Sequence, residues 1–73
     1  MPKLGTLSGE EVCRLLEEHG FVAVRQHGSH RVMQLRAGGT TRTVPVPLHR
    51  ELRTGTLLSI IRQSGLSRDV FER

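Results

Sequence analysis

The 73-residue sequence has one cysteine, no tryptophan, no tyrosine and only two phenylalanines. With Cys13 as the sole thiol, an intramolecular disulfide is impossible, and nothing points to a secreted disulfide scaffold. No apolar run approaches the ~20 residues that span a bilayer. The N-terminus lacks the apolar core of a signal peptide. A cytoplasmic protein without a membrane partner is therefore expected. At this length the chain makes one domain at most, and such a domain buries only about 60% of the surface its unfolded form exposes. One further absence is local: no Asp or Glu occurs between Glu18 and Glu51.

What fills that acid-free span is basic. It holds Arg25, Arg31, Arg36, Arg42 and Arg50, together with all four histidines. The net charge is +4, and four of the seven acids (Glu10, Glu11, Glu17, Glu18) lie near one predicted helix. A basic stripe of this kind favours phosphate-rich partners such as RNA or DNA through counterion release; the plain alternative is a solvated basic surface with no ligand. Without Trp or Tyr, and with both Phe expected in the core, base stacking on aromatics is not available. Contact should fall on the nucleic-acid backbone.

Periodicity gives the order α-β-β-β-α. Residues 1–6, including the only lysine, Lys3, read as a mobile lead-in. Ser8-Gly9-Glu10-Glu11 is a capping box, with Leu7 and Val12 at staple spacing. The helix runs to about His19 on a stripe of Val12, Leu15 and Leu16. Gly20 supplies the left-handed end, from which Phe21 folds back on Leu16. Residues 21–26 read as a strand, Gly28-Ser29 as a turn and residues 30–36 as a second strand. In that strand Met33 and Leu35 face the helices; His30, Gln34 and Arg36 face the open side, with Val32 among them. Gly38-Gly39 makes the next hairpin loop. Residues 41–46 form a third strand, an edge because Pro45 and Pro47 cannot donate to a ladder. The second helix covers residues 55–64 on Leu57, Ile60 and Ile61, widened by Leu58 and closed by Gly65. Ser67 then opens a short turn that docks Val70 and Phe71. The fold class is α+β: a small three-stranded antiparallel sheet with both helices on one face.

His30 is the first candidate for chemistry. RNA carries its own nucleophile, the 2′-hydroxyl; cleavage needs a base for that proton, an acid for the leaving oxygen and cations for the charge on phosphorus. A histidine among arginines supplies these without metal. The bland reading is a histidine that only hydrogen-bonds its turn. Gly28 can let a phosphate approach backbone amides and Ser29 can hydrogen-bond it, or both can simply make the turn. Arg25, Arg31, Arg36 and Arg42 are phosphate-contact candidates, each also readable as solvated surface. Arg31 is the weakest, because alternation puts it on the helix side. One Cys and four scattered His make no zinc pattern, so no metal or other cofactor is expected, and Cys13 reads as a small residue at the core edge. His49 reads as a loop residue capping the second helix, as an RNA contact or as a second proton carrier.

The succession Gly20-Phe21, Arg25-Gln26-His27-Gly28-Ser29-His30, Val44-Pro45 with His49, and residues 55–66 from Gly55-Thr56-Leu57 to Gly65-Leu66 is similar to the HicA toxins of toxin–antitoxin pairs. The resemblance spans about residues 8–71. It implies one toxin domain over residues 1–73, with a fold like the double-stranded RNA-binding domain. It also implies an endoribonuclease that cuts mRNA and arrests translation through His30. The expected partners are RNA and a HicB-type antitoxin that blocks the toxin, with DNA met only through the antitoxin complex. Gly28 and Ser29 match the family turn directly. His27 and Arg31 depart from the residues usual at those positions. A non-catalytic RNA-binding module, and a protein that acts only through a partner, are the two competing readings.

Overall fold

The computed structural model describes residues 5–72. The elements are α1 (Gly9–Glu18), β1 (Val22–His27), β2 (His30–Ala37), β3 (Thr40–Pro47) and α2 (Thr54–Ser64), followed by a 3-10 turn at Arg68–Phe71. The strands form one antiparallel sheet in the order β1-β2-β3, giving the expected α+β fold. The lead-in expected over residues 1–6 falls mainly outside the described residues, as does Lys3; Gly5 and Thr6 are exposed.

Local chemistry sets the boundaries of α1. The Glu11 amide donates to Ser8 Oγ at 3.1 Å and the Ser8 amide to Glu11 Oε1 at 2.9 Å, completing the capping box. At the other end Gly20 takes φ 96°. The Phe21 amide reaches the Leu16 carbonyl at 3.1 Å and the Gly20 amide that of Glu17 at 3.1 Å, the two bonds of a Schellman motif. The buried stripe of α1 is Gly9, Val12, Cys13 and Leu16. Cys13 thus lies inside the core rather than at its edge, and Leu15 is only half-buried at the margin.

Both hairpins follow from glycine. Gly28 has φ 53° while no non-glycine residue among those described has positive φ, so the two-residue loop meets the type II′ requirement. Gly38 and Gly39 have φ 57° and 79°, as type I′ needs. The helices cover the face of the sheet that carries Met33, Val44 and Val46, which are all fully buried. From α2 come Leu57, Ile60 and Ser64; the Ser64 hydroxyl donates to the Ile61 carbonyl at 2.8 Å and accepts from the Leu66 amide. Leu58 does not widen the stripe. It is 41% exposed, because it points away from the sheet.

The loop from β3 to α2 is anchored by Leu52 in the core and stitched by three backbone hydrogen bonds. The Leu48 amide donates to the Ser29 carbonyl at 2.6 Å, the Gly9 amide to that of His49 at 2.9 Å, and the Leu52 amide to that of Leu7 at 2.8 Å. Gly9 makes this approach possible. A Cβ there would meet the Pro47 carbonyl oxygen and lie 2.7 Å from Leu48 Cα.

Candidate functional site

Directly opposed residues share a face of an antiparallel sheet, so the register assigns the open face. Arg25 opposes Val32 and His27 opposes His30; His30 also opposes Pro47, Val32 opposes Pro45, and Arg36 opposes Thr41. His27, His30, Arg25 and Arg36 therefore stand on one face, with no acid among its strand residues.

A single bulge decides this arrangement. Phe21 is buried, and unbroken alternation from it would turn Ala23, Arg25 and His27 toward the helices. The register shifts between Ala23 and Arg25, leaving Val24 as the extra residue. Arg25 and His27 are thereby re-aimed to the open side, a recognised use of bulges. Simple period-2 counting misses it; the only sequence hint is a strand that would otherwise send an arginine and a histidine into a small core.

His27 and His30 flank the turn as a directly opposed pair, whose Cα atoms in such ladders are about 4.5–5.5 Å apart. Both are exposed, and neither ring hydrogen-bonds any described residue. Gly28 and Ser29 sit between them, exposed, with the Ser29 carbonyl already held by the Leu48 amide. Arg25 is about two strand positions from this pair, roughly 7 Å at strand rise. Arg36 lies at the far end of β2, about 20 Å from His30 by the same rise. The turn, Arg25 and the two histidines are therefore together; Arg36 shares their face but not their immediate site. Neither arginine forms an ion pair among the described residues.

The other arginines of the acid-free span are placed differently. Arg31 lies on the helix side, as alternation requires. Its guanidinium grips Glu10 of α1 through two bonds, 3.0 and 3.3 Å, and donates to Gln26 Oε1 at 3.3 Å. The Glu10 carboxylate holds the Arg31 charge in place, raising its pKa above the ordinary value. Burial raises the pKa of Cys13 beneath it, and the Arg31 charge opposes that shift. Arg42 opposes Leu35 and packs its guanidinium against Gly65, at the negative end of α2. His49 does not cap α2 with its ring. Its carbonyl instead satisfies the first amide of α1, while α2 has Arg53 at its N-cap with no side-chain cap bond and no acid in its first turn.

That first turn reaches the open face. His30, Pro45 and Pro47 from the sheet and Gly55, Thr56, Ser59, Ile60 and Gln63 from α2 line a cleft of ≈ 360 Å³. The α2 residues were not among the sequence candidates. Their signal is the stripe Thr56, Ser59, Gln63, which runs beside the buried stripe Leu57, Ile60, Ser64. A second, larger hollow at Gly5, Thr6 and residues 51–54 lies away from the histidines.

Among the described residues no three His, Cys, Asp or Glu side chains gather as a metal site would need. No described helix is long and apolar enough to cross a membrane. An acid-free cationic face bearing two imidazoles is equipped to bind a phosphodiester and move protons at it. A search of curated proteins returned no match. A family sequence model described as "HicA toxin of bacterial toxin-antitoxin" matches residues 9–66, which includes every element that builds this face. The chain belongs to the HicA toxin family of bacterial toxin–antitoxin systems.

Proposed function

We propose that this toxin is a metal-independent endoribonuclease that cleaves mRNA and arrests translation, with His30 exchanging the proton at the scissile phosphate. The observation that carries the reading is the acid-free face on which His30, His27 and Arg25 stand together around the Gly28-Ser29 turn. One imidazole takes the proton of the RNA 2′-hydroxyl. That oxygen attacks phosphorus, the bond to the 5′-oxygen breaks, and the leaving oxygen receives a proton from the acid. His27, across the hairpin, is the second proton carrier. Arg25 and the turn residues Gly28 and Ser29 hold the phosphate, and Arg36 holds one further along the strand. The products are a 2′,3′-cyclic phosphate and a 5′-hydroxyl.

The element order, with two helices on one face of a three-stranded sheet, suits a relationship to the double-stranded RNA-binding domain. The antitoxin would be of HicB type and neutralise the toxin by covering the histidine face with acidic groups.

The test is induction of wild type and His30→Ala in a bacterium, following growth and messenger integrity. Arrest with RNA loss in wild type alone is the expected result. Arrest from both proteins would sink the catalytic role of His30 and favour a non-catalytic RNA-binding module.

A further inference from the structure

The cleft beside His30 differs in character from the face around it. The face is cationic, but the α2 wall of the cleft is neutral: two hydroxyls, Thr56 and Ser59, and one amide, Gln63. Ser59 Oγ accepts from Gln63 Nε2 and from Arg62 Nη2, each at 3.5 Å, and the Thr56 hydroxyl stands one turn before it. The opposite wall is the pair of rings Pro45 and Pro47, side by side with Val32 and His30 in the register. A flat polar-edged ligand on an anionic tether matches a neutral slot that opens on a sheet face carrying Arg25 and Arg36.

We infer that this cleft binds one unpaired nucleobase of an RNA strand, seated on Pro45 and Pro47 and read at its edge by Thr56, Ser59 and Gln63. The inference rests on the ribonuclease reading and adds to it a base-selecting subsite. The volume, ≈ 360 Å³, is at the lower end of the range of about 300–1,000 Å³ for small-ligand sites. It suits a single base lifted out of the stack, the form in which single-stranded RNA is usually read. The proline rings also answer the lack of aromatic side chains: a base face needs a flat apolar surface, and these two are the ones beside His30.

Gly55 is the second observation. It stands in the first turn of α2, where glycine weakens a helix by about 1 kcal/mol relative to alanine. Its φ is not positive, and an added Cβ would meet nothing within 4 Å. Neither backbone conformation nor packing asks for glycine there. The open space there leaves the helix start accessible to a ligand in the cleft.

The experiment uses the full-length wild-type toxin and four 2′-O-methyl tetranucleotides, one for each base, which lack the nucleophile and survive the titration. NMR signals of Thr56, Ser59 and Gln63 should shift, with affinity differing among the four bases. Gln63→Ala should narrow that spread by about three- to tenfold, the worth of a typical hydrogen bond, whereas Arg25→Ala should weaken all four alike. Gly55→Ala should raise the melting temperature while weakening binding of every tetramer. Cleft signals that stay still while those of Arg25 move would overturn the inference, as would a base preference unchanged in both Gln63→Ala and Ser59→Ala. So would shifts in the cleft produced only by an antitoxin peptide. If wild type failed to cleave natural RNA while the tetramers still bound here, the ribonuclease reading would fail and the subsite would stand.

Discussion

Gly9 is the residue on which the closest packing depends. A methyl group there collides with the Pro47 carbonyl and the Leu48 backbone, neither of which can rotate away. Gly9→Ala should therefore destabilise the fold by about 2–3 kcal/mol, as overpacking does, although alanine is the better helix former. A urea titration that showed stabilisation would refute the contact. Cys13 makes a different prediction. Burial raises its pKa above the ordinary 9.0, so the folded state keeps a proton that the unfolded state loses. Stability is then fully present below that ordinary value and declines as pH rises through the folded value. With no tyrosine and one lysine in the chain, few other groups obscure this titration. The urea midpoint of wild type should fall more steeply above pH 9.0 than that of Cys13→Ala. His27 belongs to the same scale: His27→Gln should lower kcat for RNA cleavage and remove one limb of the pH–rate profile, with little change in melting temperature. An unaltered profile would return both proton steps to His30 and water.

At the scale of elements, the bulge in β1 gives the strand one residue to spare. Deleting Val24 should leave Arg25 and His27 on the open face, because the register on either side is already set. It should also straighten an edge strand whose neighbour Val22 is 58% exposed, and straight exposed edges pair with one another. The deletion should fold, cleave RNA and self-associate more than wild type by sedimentation. A monomer would argue that other features guard this edge. The bulge also marks where sequence reading stopped. The capping box, the Schellman end, both glycine hairpins and the helix-side position of Arg31 were legible because each rests on a short-range rule. The facing of Arg25 and His27, the depth of Cys13 and the approach of α2 to His30 were not. Each depends on which element lies opposite, and that is fixed by packing between residues distant in sequence.

For the whole molecule, charge separation is the dominant feature. Acids cluster on α1, and one of them, Glu10, is used to hold Arg31; the open face keeps Arg25 and Arg36 without ion pairs among the described residues. RNA affinity should fall steeply with salt. Arg25→Ala and Arg36→Ala should each flatten the log–log slope by about 0.7, the contribution of one phosphate contact on a single strand. Equal slopes in wild type and both variants would place the RNA elsewhere.

The backbone stitch between residues 7–9 and 48–52 has a consequence in the order of synthesis. The histidine turn is made early, but its support through Leu48 and the far wall of its cleft come late, from the loop and from α2. Domains form as their chains emerge from the ribosome, so the face stays unfinished until α2 has been made. A chain stopped at Arg53 has both histidines and should be harmless to the cell that makes it. On the ribonuclease reading, a new copy can attack the messenger that encodes it only once its own α2 has been made.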